Sequence, residues 1–277
     1  MTTDIRLLVL DIDGTLAGES NQVSQRVLDR IQAVRQRGVE VAIATGRMYQ
    51  SALRFHQMIG STLPLIAYQG AMIKNPQSQT LHRHTPLPRS LALEMLAYLT
   101  PLEDREDLSI HLYIDDQLHV RRIIEDTQAY AQRSGIEPVA AGDLSTLMAT
   151  NPAWETTKLL ALSTHTDRLA AVLHHLNQHY SSTDLYLTQS IESFVEATHP
   201  QANKGEAVRF LAEELLDLAR DQVMTIGDNF NDLEMLRYAG LGIAMGDAPS
   251  AVKAEADWVA PGVEAEGVAV ALEQFLL

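Results

Sequence analysis

The stretch Arg6–Ile12 constrains the fold of this chain more than any other. Leu7, Leu8, Val9 and Leu10 run without a polar break into Asp11 and Asp13. A strand with one wet face would alternate apolar and polar residues. An unbroken run instead suits a strand buried on both faces, as inside a parallel sheet covered by helices. The segments that follow fit that reading. Ser24 is placed to cap a helix whose Val27, Ile31 and Val34 share a face, and Gly38 closes it. Val39–Ala44 is a second buried strand, ending at Thr45-Gly46-Arg47. A helix to about Ile59 leads to a third strand, Leu63–Tyr68, ending at Gln69-Gly70-Ala71.

The far end of the sequence repeats the alternation. Gly205–Leu218 reads as a helix, and Gln222–Ile226 as a strand running into Gly227-Asp228-Asn229-Phe230-Asn231-Asp232. A helix to about Ala239, short strands at Leu241–Met245 and Trp258–Ala260, and a closing helix over Val268–Leu276 follow. Between these ends the texture changes. Leu91–Leu99 is helical, Ser109–Ile114 and Leu118–Ile123 form a hairpin turning at Asp115-Asp116, and helices are expected near Glu125–Ser134 and Asp167–Tyr180. Further strands are expected at Thr157–Ser163, Leu185–Gln189 and Phe194–Ala197. The pattern predicts an α/β core from residues 1–84 and 193–277, with an α+β module, 85–192, inserted into it. Pro86, Pro88 and His199-Pro200 are the expected hinges.

Composition narrows the function classes. A chain of 277 residues, 46% of them apolar, has enough material for two ordinary domains with sizeable cores. A formal charge of −15 disfavours nucleic acid and anionic membranes as partners. It would also repel a phosphorylated substrate, so any phosphate site must supply its own local positive charge. The absence of cysteine excludes disulfides, thiolate nucleophiles and Cys-type zinc sites. No stretch approaches the roughly 18–20 apolar residues of a membrane helix, and the short run before Asp11 is no signal peptide. A cytoplasmic protein is expected.

In open α/β sheets, functional groups collect at the carboxyl ends of the strands. Here those ends carry Asp11 and Asp13, then Thr45-Gly46-Arg47, then Asp228, Asn231 and Asp232, while Lys204 precedes the helix leading into the late strand. Two carboxylates on neighbouring strand ends repel one another unless one protonates or a cation sits between them. Hard oxygen donors without His or Cys partners favour magnesium, which also binds substrate phosphate. Asp11 then serves as nucleophile on phosphorus. Asp13 protonates the leaving oxygen and later deprotonates the attacking water. The Thr45 hydroxyl and nearby backbone N–H groups hold the transferring phosphoryl, and Lys204 stabilises its charge. Gly46, Arg47, Gln69, Gly70 and Asn231 are candidate substrate-side groups, and Asp232 or Asn231 orients a metal-bound water or a neighbouring side chain.

At this point the sequence resembles a known family. Asp11-Ile12-Asp13-Gly14-Thr15-Leu16 looks like the signature of the haloacid-dehalogenase-like (HAD) hydrolases. Thr45, Lys204 and Gly227-Asp228-Asn229-Phe230-Asn231-Asp232 match its other three motifs in order. The wide gap between the second and third motifs resembles the Cof-type branch. The resemblance extends over essentially the whole chain in layout. It implies a Rossmann-like core with a parallel sheet, a mobile inserted α+β cap that sets substrate specificity, and magnesium-dependent hydrolysis of small phosphorylated metabolites. Sugar phosphates, nucleotides and phosphorylated cofactors all stay open as substrates. By the resemblance the metal ligands are the Asp11 side chain, the Asp13 backbone carbonyl and the Asp228 side chain, with Asp232 counted in the set. One departure is visible: the third strand of such proteins usually ends in Asn-Gly-Ala, and here Gln69 adds a methylene. Glu196 stands where that branch often has an acid before the lysine motif. A phosphosugar mutase and a non-catalytic binding protein on the same fold are the alternatives.

Other clusters have plainer readings. His82 with His84, and His175 with His179 beside His174, are read as solvated or packing histidines, because no carboxylate partner lies near in sequence. The acidic run Glu103–Asp107 is expected to be an exposed loop, and Arg121-Arg122 surface arginines.

Overall fold

The computed structural model describes residues 4–103, 105, 108–189 and 191–277. The chain divides into two compact units: one made of the residues up to Arg83 together with Asn203–Leu277, the other of His84–Ala202.

The first unit opens with β1 (Leu7–Leu10), α1 (Gln25–Gln36), β2 (Glu40–Ile43), α2 (Tyr49–Met58), β3 (Leu65–Ala67), β4 (Met72–Lys74) and β5 (Leu81–His84). All four residues of β1 are fully buried, as the apolar run requires. Ser24 caps α1 by accepting the Val27 N–H. The second unit holds α3 (Arg89–Glu103), β6 (Ser109–Ile114), β7 (Gln117–Val120), α4 (Glu125–Ser134), β8 (Val139–Ala140), α5 (Leu144–Thr150), β9 (Thr156–Leu162), α6 (Thr166–His179), β10 (Tyr186–Thr188) and β11 (Phe194–Thr198). The chain then returns to the first unit with α7 (Lys204–Arg209), β12 (Val223–Gly227), α8 (Leu233–Tyr238), β13 (Leu241–Ala244), α9 (Ser250–Lys253), β14 (Trp258–Val259) and α10 (Gly267–Phe275).

The central sheet has the order β14-β13-β12-β1-β2 and is parallel throughout. A single parallel bridge, Ala44 to Ile66, joins β3 to its β2 edge. β3 then turns into the antiparallel β4, a hairpin absent from the sequence reading. The helix expected over Gly205–Leu218 is α-helical only to Arg209 and continues as a π-helix over Phe210–Leu215.

The second unit is a mixed sheet, β10-β11-β9-β6-β7-β8, with one apolar core of its own. Leu96 and Leu99 from α3, Leu112 from β6, Leu159 from β9 and Leu176 from α6 meet there. The β6–β7 hairpin turns at Asp115 and Asp116, both at positive φ, as the sequence predicts. The unit's end differs from the expected residue 192. β11 pairs with β9, so the ladder carries the inserted unit on to Ala202.

The acidic run needs correcting. Glu103 is buried at the end of α3, where it accepts the Ile110 N–H and pairs with Arg121 at 3.4 Å. Burial raises its carboxyl pKa above the usual range despite those contacts. Asp104, Glu106 and Asp107 lie outside the described residues. Among the histidines, His175 stacks on Tyr98 with centroids 4.2 Å apart, and His179 packs tilted against His175 at 4.1 Å. Stacked rings share faces rather than aiming nitrogens at one point, which fits packing. His84 is hydrogen-bonded to the Thr157 hydroxyl.

Candidate active site

The register of the central sheet sets the geometry. Leu10 is paired with Ile226 on one side and Ile43 on the other. The residues just beyond those partners therefore lie side by side: Asp11 beyond β1, Asp228 beyond β12, Thr45 beyond β2. The Asp11 N–H donates to Ile226, continuing the ladder one step past the strand. After Asp13 the chain reverses at Gly14, whose φ is +78°. A Cβ there would fall on the Asp228 carboxylate, so glycine is required both by conformation and by space.

Lys204 is the centre of the set. Asn203 caps α7 by accepting the Glu206 N–H, and this starts the helix with Lys204 pointing inward. Close packing of α7 on α8 is allowed by Gly205, where a Cβ would meet the Glu234 backbone. The Lys204 ammonium is wholly buried and donates to Asp11 at 2.7 Å and to Asp232 at 2.6 Å. The other oxygen of Asp232 accepts the N–H groups of Asp228 and Asn229, at 2.9 and 3.1 Å. Asp232 thus fixes both the lysine and the loop that carries Asp228. Thr15 donates its hydroxyl to Asp228 at 3.1 Å.

Oxygens of Asp11, Asp228 and Asp232 lie within 4.8 Å of one another. Three carboxylates thus face one ammonium. Burial, then the neighbouring carboxylates Asp232 and Asp11, push Asp228 up to about 9. Burial also raises Asp11, to about 7, against the lowering pull of Lys204. Burial alone would lower the lysine, but Asp11 and Asp232 outweigh it and raise it. The set is short of positive charge, and its donors are hard oxygens.

Other candidates fall differently. Asp13 does not join this cluster through its side chain. Arg47 grips it bidentately, at 2.8 and 2.6 Å, and also donates to the Asn21 side chain at 2.8 Å. Arg47 thus serves Asp13, a role the strand-end tripeptide alone does not reveal. Thr45 is buried, and its hydroxyl accepts the Arg47 N–H. Gln69 is wholly buried and accepts from the Asn231 side-chain amide at 3.1 Å. Gly70, at φ +98°, lies where a Cβ would strike the Asn203 carbonyl. Its part is close backbone approach beside Lys204. Glu196 pairs with Lys158 inside the inserted unit at 2.7 Å. Sequence reasoning gave no role to Asn21 and only a motif position to Thr15. Opposite charges on adjacent strand ends, Asp13 and Arg47, were the readable signal for the clamp.

The chain as a whole has known relatives. The family model described as haloacid dehalogenase-like hydrolase matches residues 8–272. The chain belongs to that family. The 5-amino-6-(5-phospho-D-ribitylamino)uracil phosphatase YitU of Bacillus subtilis is 29% identical, over 99% of this chain and 99% of its own length. The pyridoxal phosphate phosphatase YbhA of Escherichia coli is also 29% identical, over 94% of this chain and 93% of its own. The crystal structure of TM0651 from Thermotoga maritima superposes with a TM-score of 0.80 at 30% identity, covering 98% of this chain and 97% of that one. The protein is accordingly a phosphatase of the HAD-like hydrolases. Among the described residues, no helix is long and apolar enough to cross a membrane.

Proposed function

We propose that this protein hydrolyses small phosphorylated metabolites through an aspartyl-phosphate on Asp11, with magnesium held by Asp11, the Asp13 carbonyl and Asp228. The observation that carries the reading is the juxtaposition of Asp11 and Asp228, at the ends of adjacent strands, with Lys204 from the start of α7. Three carboxylates against one ammonium, with two of them driven toward protonation, form a donor set that a divalent cation would satisfy. Magnesium bound there supplies charge neutralisation to the phosphoryl oxygens.

The protein's own groups do the rest. An oxygen of Asp11 attacks phosphorus, and the bond from phosphorus to the ester oxygen breaks. Asp13 gives that oxygen its proton, leaving an alcohol. Water then attacks the phosphorus, Asp13 takes a proton from it, and inorganic phosphate leaves as Asp11 is regenerated. Lys204 holds Asp11 in line and balances charge on the transferring group. Thr45 supplies a hydroxyl on the phosphoryl side. Arg47 fixes Asp13 at the edge of the site, and its fork must loosen for either oxygen to exchange a proton. Asp232 acts by orienting Lys204 and the Asp228 loop.

The substrate class is supported by the names of the relatives, which are phosphatases of a ribityl-uracil phosphate and of pyridoxal phosphate. The test is hydrolysis of an aryl phosphate with magnesium and after chelation, followed by a screen of phosphorylated metabolites. Asp11→Asn is expected to abolish phosphate release while the protein stays folded. Full activity in that variant overturns the mechanism.

A further inference from the structure

Beyond the end of β3 the chain makes an unusual turn. Tyr68, Gln69 and Gly70 follow one another at positive φ, 53°, 59° and 98°. Left-handed backbone is natural for Gly70 but strained for residues with a Cβ. Tyr68 and Gln69 are also wholly buried. The other non-glycine residues at positive φ among those described, such as Asp115 and Gln79, are exposed or half-buried. Something in the surroundings holds this turn in place.

Its anchors all belong to the phosphoryl side of the site. The Tyr68 N–H donates to the Arg47 carbonyl and the Gln69 N–H to the Thr45 carbonyl, both at 2.9 Å, while Thr45 donates back to Ile66 at 3.0 Å. The turn is thereby stitched to Thr45–Arg47. The Gln69 side chain then runs between two loops. Its amide nitrogen lies against Gly46, where a Cβ would collide with it, and its oxygen accepts from Asn231 at 3.1 Å. Asn231 directly precedes Asp232, which holds Lys204. β1 lies between β12 and β2 in the sheet, so this link closes a belt around the strand end that carries Asp11.

We infer that Gln69 is a positioning residue. Its carboxamide sets the distance between the Thr45–Gly46 loop, which cradles the phosphoryl group, and the Asp228–Asp232 loop, which carries Asp228 and the carboxylate that holds Lys204. Its longer side chain, compared with asparagine, provides the reach. The inference rests on the phosphatase reading above and deepens it. In-line attack by Asp11 depends on both loops at once, and a misplacement of about 1 Å costs on the order of 100-fold in rate. Loss of the link therefore lowers kcat and leaves KM nearly unchanged, because either loop alone still binds phosphate.

The experiment compares Gln69→Leu, Asn231→Leu, the double variant and Gln69→Asn in the full chain, with aryl phosphate and magnesium. Each leucine variant is expected to lose roughly 10- to 100-fold in kcat with little change in KM, and the double to be no worse than the poorer single. Gln69→Asn keeps the melting temperature, since asparagine accepts positive φ readily, yet stays slow because it cannot span both loops. Full kcat in Gln69→Asn would mean that only the turn matters and would overturn the inference. Unchanged kcat in Gln69→Leu, or strictly additive losses, would do the same. If Gln69→Leu does not fold, Gln69→Asn and Asn231→Leu carry the test. A wild-type protein that releases no phosphate overturns the phosphatase reading itself. An active wild type with indifferent variants overturns only the role of Gln69.

Discussion

Each of the two units buries one lysine against carboxylate, and the two lysines are surrounded differently. Lys158 in β9 meets Glu196 in β11 at 2.7 Å, both 2% exposed, with the Tyr113 ring 4.8 Å from the ammonium. Lys204 faces Asp11 and Asp232 directly, with Asp228 beside them. Burial exacts a similar cost from both lysines, since each loses its water. The second group gathers three carboxylates around one ammonium. Charge left over in a buried place, rather than the presence of a buried ion pair, is what separates the reactive region from the structural one.

That contrast can be broken most sharply at Lys204. Lys204→Met leaves Asp11 without its donor and is expected to lower kcat about 100- to 1,000-fold, read by phosphate release at saturating substrate. Next comes Lys158→Met, which strands Glu196 and is expected to destabilise by about 3–5 kcal/mol in denaturant unfolding. The double change Lys158→Met with Glu196→Leu should recover most of that loss, because a buried ion pair can be replaced by apolar packing. No companion substitution on the carboxylates should rescue catalysis in Lys204→Met. A recovery there would erase the distinction.

The smallest expected effect concerns pH. Asp11 and Asp228 have folded-state pKa values raised to about 7 and about 9. In the folded protein without metal these two carboxyls therefore bind more protons than they do in the unfolded chain between about pH 4 and pH 9, and their contribution to stability falls as pH rises through that window. Magnesium competes with those protons. The rise in Tm on adding magnesium should be a few degrees and larger at pH 8.5 than at pH 6. Asp228→Asn should flatten the difference. An equal magnesium effect at both pH values would argue against the carboxylate cluster as the binding site.

Much of this site is legible in the sequence, for a physical reason. Asp11, Thr45 and Asp228 each end a continuous apolar strand, and strand ends in a parallel sheet must converge. Lys204 is legible through its company, and Ser24 through ordinary capping chemistry. What escaped depends on tertiary context. Nothing in a local window says that Gln69 adopts left-handed backbone, because the hydrogen bonds holding it come from Thr45 and Arg47. Glu103 reads as part of a solvated acidic run, yet burial at the end of α3 and the Arg121 contact remove it from that class. Glu196 reads as an accessory to the lysine motif eight positions on. The ladder carries it beside β9, where it pairs with Lys158, and moves the edge of the inserted unit.

The parallel order β12-β1-β2 also has a consequence in time. β1 is synthesised before the inserted unit, yet one of its two neighbours in the sheet and its lysine come from the far side of the insertion; 193 positions separate Asp11 from Lys204. At ordinary elongation speeds that interval is roughly 10–40 s. During it an apolar strand lacks one flank while His84–Ala202, with a core of its own, can already assemble. The nascent chain therefore carries a folded middle before it carries a finished site. Destabilising the inserted unit should show first as aggregation during expression, before any change in the turnover of the protein that survives.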